Sequence, residues 1–97
     1  MTSLLVVGGD KIDKLADKLE HHGFDEVIHV SGRKAKMVKT NIPQKVDLIL
    51  VLTDYINHNL SSVIKRKANE QSIPICFAKR SWSSIYKEVG KIFVNQE

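Results

Sequence analysis

The sequence predicts a three-layer α/β sandwich in which helices cover both faces of a small parallel sheet. Three observations carry this. Four short runs rich in Leu, Ile and Val alternate with four segments whose apolar residues recur at helical spacing. The first and third runs are apolar at successive positions, as strands buried on both faces are. Glycines or proline stand where most of these segments change type.

Leu4, Leu5, Val6 and Val7 form the first run, and Gly8-Gly9 supply a tight turn after it. A helix over about residues 10–22 follows, with Asp10 as its cap, Ile12, Leu15, Ala16 and Leu19 on one face, and Gly23 as its stop. Val27, Ile28, His29 and Val30 are the second strand, bounded by Asp25-Glu26 and Ser31-Gly32. Ala35, Val38 and Ile42 then fit a short helix that ends before Pro43. Residues 46–52 give the strongest strand signal, which places this strand centrally. Ile56, Leu60, Val63 and Ile64 stripe a third helix, with Lys65, Arg66 and Lys67 towards its C-terminal end, where cations suit the dipole. Residues 73–78 form the fourth strand. A last helix over about residues 82–94 follows, capped by the serines before it and carrying Ile85, Val89, Ile92 and Phe93 on one side. The order βαβαβαβα in 97 residues describes one domain, residues 1–97, with a four-stranded Rossmann-like or flavodoxin-like sheet of order 2-1-3-4.

Composition narrows the setting. With 42% hydrophobic and 27% charged residues, the chain has the balance of a folded globular domain. Its longest apolar run is far shorter than the roughly 20 residues of a membrane span. The opening residues read as strand rather than as an export leader, and the lone Cys76 in an apolar setting suits a reducing compartment, so a cytoplasmic location is expected. The net charge of +4 is unevenly spread: Arg33, Lys34, Lys36, Lys39 and Lys45 fall in an acid-free stretch at residues 32–46. That stretch reads as a solvated helix face, with a nucleic-acid footprint as the rival reading.

In a sheet of this order, ligands bind beyond the carboxyl ends of the strands, where the winding reverses. The topology brings together there Gly8, Gly9 and Asp10; His29 and Arg33; Thr53, Asp54 and His58; and Lys79, Arg80, Ser81 and Ser84. Histidines and cations beside helix N-termini suit an anion, because the first turn of a helix offers unpaired N–H groups and a positive dipole end. His58 lies off the apolar stripe of its helix and is expected at the edge or in solvent. His29, Asp54 and His58 alternatively supply nitrogen and oxygen ligands for a divalent metal or haem iron. His21 and His22 sit where a helix C-terminus favours cations.

Several chemistries find no motif. Two adjacent glycines are not the three spaced glycines of a dinucleotide fingerprint, and no Walker lysine follows them. A phospho-accepting receiver has two acids after its first strand, where this chain has Asp10, and also a fifth strand. Sugar-uptake phosphocarriers of this size place a nucleophilic cysteine where Gly8 stands. No serine lies in a nucleophile elbow.

Val7-Gly8-Gly9, His29 followed by Ser31-Gly32, Thr53-Asp54 with Asn57-His58, Lys65, and Arg80-Ser81 with Ser83-Ser84 together resemble domain-of-unknown-function family 2325. The resemblance covers nearly the whole chain and implies a small bacterial Rossmann-like domain to which no activity is attached.

The sequence therefore reads as a binding or regulatory module, rather than an enzyme, that holds a small anionic ligand, phosphorylated or nucleotide-like, at the carboxyl edge. Its expected contacts are Gly8, Gly9, His29, Arg33, Thr53, Asp54, His58, Arg80, Ser81 and Ser84. Two alternatives stand beside it. One is a metal- or haem-binding protein or small metal-dependent hydrolase built on His29, Asp54 and His58. The other is a nucleic-acid accessory protein that uses residues 32–46. Open sheet edges also favour a homodimer, with Trp82, Tyr86 or Phe93 at its interface or in a satellite core contact.

Overall fold

The computed structural model describes residues 2–9, 12–30, 42, 45–54, 56 and 58–94, with side chains through Lys91. The expected helix between the second and third strands lies outside these residues, apart from Ile42.

Four parallel strands, β1 (Ser3–Val7), β2 (Glu26–Val30), β3 (Leu48–Leu52) and β4 (Ile75–Ala78), form one sheet in the order β2-β1-β3-β4. Three helices are described: α1 (Asp13–His21), α2 (His58–Glu70) and α3 (Trp82–Val94). Among the described residues no helix is long and apolar enough to cross a membrane.

Every residue of β1 and of β3 is buried. Alternate side chains of these strands enter two different cores. Leu4, Val6, Leu48, Leu50 and Leu52 pack with Leu19 of α1 and Ile85 and Val89 of α3. Leu5, Val7, Ile49 and Val51 pack on the other face with Ile42, Val46 and Leu60, Ile64 and Ala68 of α2. Burying a large aliphatic side chain contributes about 1.5–3 kcal/mol, so the two central strands dominate the stability of the domain. Cys76 belongs to the first core as packing: burial, reinforced by Glu88, pushes its thiol up to about 12. It is thus neutral and non-nucleophilic near neutral pH.

The helix ends explain where the observed elements differ from the expected ones. α1 begins at Asp13 behind Ile12, which offers no side-chain cap, whereas Asp10 lies outside the described residues. It ends in a Schellman closure: Gly23, at φ +110°, donates its N–H to Glu20 O, and Phe24 N–H reaches Leu19 O. The buried pair Phe24 and Leu19 completes that motif. α2 closes in the same way, with Ser72 N–H donating to Asn69 O and Ile73 N–H to Ala68 O at 2.9 Å. Ile73 is therefore spent on the helix terminator, and β4 starts at Ile75, after Pro74, rather than at residue 73. β3 likewise starts later than residue 46, because Asp47 turns its carboxylate back onto Ser3 N–H at 2.8 Å. Gln71 pins Ile42 through both of its amide groups, accepting from Ile42 N–H and donating to Ile42 O at 2.8 Å.

Ser72 occupies the left-handed region at φ 57°, a conformation that costs a non-glycine residue free energy. Ser72→Gly is expected to raise the free energy of unfolding by about 0.5–1 kcal/mol in urea titrations. An unchanged or lowered midpoint contradicts the assigned closure.

Candidate functional site

The carboxyl edge is assembled from the turn after β1 and the loops that leave β3 and β4. Gly8 and Gly9 both have positive φ, +106° and +73°, so the turn demands glycine on backbone grounds alone. Gly9 is also closely approached. A Cβ there would stand 3.3 Å from Leu52 Cδ1, 3.4 Å from Ile12 Cγ2 and 3.8 Å from Arg80 Nε. The guanidinium of Arg80 is thereby brought against the turn between β1 and α1.

His29 pairs in register with Val6 and so lies on the sheet face covered by α1 and α3. Its Nε2 is 2.9 Å from Gly8 O. A carbonyl oxygen can only accept, so Nε2 carries the proton and Nδ1 is the ring nitrogen left for other partners. Gly8 in turn donates its own N–H to Val30 O at 2.9 Å. The ring and the backbone together tie the end of β2 to the first turn of the site.

The second group of edge residues is similarly employed. Asp54 Oδ2 accepts the backbone N–H of Arg80 at 3.1 Å, which fixes where the arginine leaves β4. Thr53 directs both its N–H, at 2.9 Å, and its hydroxyl, at 3.3 Å, to Ala78 O. Ser81 is the N-cap of α3: its Oγ accepts the N–H of Ser84 at 3.3 Å, as the serines before that helix promised.

Of the expected contacts, Gly8, Gly9, His29, Thr53, Asp54, Arg80, Ser81 and Ser84 fall at one edge, and Arg33 lies outside the described residues. His58 is exposed in the first turn of α2, against the face opposite to that of His29. This separation bears on the metal alternative. Among the described residues no group of three His, Cys, Asp or Glu side chains is placed to hold a metal ion. Most of the basic stretch at residues 32–46 also lies outside the described residues, and its Lys45 is paired with Glu26 at 2.9 Å.

A cleft of about 320 Å³ opens between α1 and the loop after β4, lined by Ile12, Asp13, Lys14, Leu15 and Arg80. Its position follows from the local sequence. Ile12 at the N-cap has no side-chain oxygen, so among the described residues the N-cap offers no side-chain hydrogen bond to the N–H groups of the first turn. Sequence reasoning placed Arg80 and the helix N-termini at this edge but did not single out Lys14; Asp10, the expected cap, lies outside the described residues.

Sequence reasoning also missed an aromatic cluster beside the cleft. His22 stands 4.9 Å from the Trp82 ring and 5.3 Å from Tyr86, and Trp82 and Tyr86 are 5.9 Å apart. Lys18 Nζ lies over Trp82 at 5.6 Å from the ring centre, a cation–π distance. His21, by contrast, turns its Nδ1 to Asp17 O at 2.7 Å within the last turn of its helix, as its position suggested.

The model of the family described as "Uncharacterized protein conserved in bacteria (DUF2325)" matches residues 3–92. No curated protein and no solved structure matches the chain.

The His29 bond makes a specific expectation. Long-range ¹H–¹⁵N correlation spectra of the neutral ring are expected to show Nε2 protonated, and His29→Ala is expected to cost about 1 kcal/mol of stability. An Nδ1-protonated ring contradicts the assigned brace.

Proposed function

Since the chain belongs to the DUF2325 family, whose description assigns no activity, we propose from its edge geometry that it is a binding module for a small phosphorylated anion. One observation carries the reading. In the 320 Å³ cleft, Arg80 and Lys14 line one pocket with the first turn of α1, whose N-cap, Ile12, supplies no side-chain hydrogen bond to the N–H groups of that turn. Such a turn presents unpaired donors and the positive end of the helix dipole, and a guanidinium adds a planar fork matched to phosphate oxygens. The volume is at the lower end of small-molecule sites, which favours a compact ligand.

Under this reading the edge residues divide their labour. Arg80 and Lys14 supply charge to the ligand. Asp54 supports Arg80 from behind through its backbone, while His29 and the Gly8-Gly9 pair hold the β1–α1 turn in place. Asp13 also lines the cleft, and its carboxylate opposes an anion. That opposition gives the test two signs.

Calorimetric titration with inorganic phosphate and pyrophosphate is expected to show binding that Arg80→Ala weakens about tenfold or more and that Asp13→Asn strengthens. Binding that ignores both substitutions contradicts the proposed cleft.

A further inference from the structure

We propose that the ligand is a mononucleotide, its phosphate at Arg80 and its base stacked on Trp82; this rests on the anion-binding reading above. The cleft at Arg80 meets a second one, of about 490 Å³, at Lys14. The second cleft continues along the seam between α1 and α3, lined by Asp17, Lys18, His22 and Trp82 among others. One end of the combined trough is cationic and the other aromatic, and they are joined through two residues, Arg80 and Trp82, that sit two positions apart at the start of α3.

The dimensions and chemistry fit a phosphate, a sugar and a base in that order. Lys14 and Lys18 are one helical turn apart, about 6 Å along the axis, which is the scale of a single ribose. Asp17 lines the trough beyond Lys14, where its carboxylate accepts hydrogen bonds from sugar hydroxyls. Trp82 is partly buried against the core, so its indole is anchored. Lys18 rests over its ring at 5.6 Å, the place a second flat π-system would take. The lysine stem is long and exposed, so the ammonium swings off the ring into solvent when a base takes its place. His22, exposed and 4.9 Å from the indole, packs against the same ring and steadies it. Base–aromatic stacking tolerates any base and adds binding to whatever the phosphate supplies.

Trp82 is the only tryptophan of the chain, so its emission reports on this position alone. Titration with the four 5′-ribonucleoside monophosphates is expected to give saturable quenching for at least one of them. The matching nucleoside is expected to bind at least tenfold more weakly, and inorganic phosphate to compete without quenching. By calorimetry, Trp82→Leu is expected to reduce nucleotide affinity roughly tenfold and leave phosphate affinity unchanged, while Trp82→Phe, which keeps a ring, retains most of it. Arg80-dependent phosphate binding without any nucleotide quenching overturns the nucleotide assignment and leaves the anion site standing. Absence of both phosphate and nucleotide binding overturns the two together. Quenching that phosphate does not displace, or a single-stranded oligonucleotide that binds more tightly than every mononucleotide, also overturns the assignment.

Discussion

The complete burial of β1 and β3 is the constraint on which the rest of the structure depends. A strand with apolar side chains on both faces must be covered on both, and its backbone groups must be paired on both edges. The sheet satisfies both needs by flanking the central pair with β2 and β4 and by placing α1 and α3 on one face and α2 on the other. Parallel pairing then sends every chain exit from the sheet to the same edge. The site is a consequence of that arrangement: residues far apart in sequence meet at the edge because two central strands cannot be left half exposed.

The two ends of the sheet are finished differently. At the amino end, Asp25 and Asp47 turn their carboxylates onto Thr2 N–H and Ser3 N–H, each at 2.8 Å, and Glu26 pairs with Lys45. Acids close that end by binding main chain. At the carboxyl end the closing bonds come from His29 and Thr53 as well as Asp54, and the residues lining the adjoining cleft include Lys14 and Arg80. Edge polarity also serves two purposes. His29, Thr53, Asp54 and Ser81 hold the loops to one another, with Arg80 joining them through its backbone N–H, and Arg80 and Lys14 also line the cleft.

Much of this was legible in the sequence, for physical reasons that vary by element. The continuous apolar runs of β1 and β3 announced burial on both faces, and the strand order followed from the alternation with helices. Gly23 and Ser81 marked a helix end and a helix start because each residue type suits its backbone role. Ile73 misled, since apolar character does not say where an N–H points, and here it points into the end of α2. Ser72 gave no warning of a left-handed residue, a role usually taken by glycine. His29 was placed at the edge, but pattern alone does not show that its ring turns onto Gly8 O. His22, Trp82 and Tyr86 belong to different helices, and their meeting is set by how α1 and α3 share a face. His29 and His58 were grouped because both follow strands to one edge; the side of the sheet on which each lies separates them.

The proposed ligand cleft lies on the α1–α3 side of the carboxyl edge, supported from beneath by the two buried strands. Amide chemical-shift mapping of the isotopically labelled chain with added pyrophosphate tests this most directly. The account predicts that the largest shifts fall on Gly9, Asp13, Lys14, Leu15 and Arg80, with Thr2, Asp25 and Asp47 at the opposite end unmoved. Shifts concentrated at that opposite end, or along α2, contradict it.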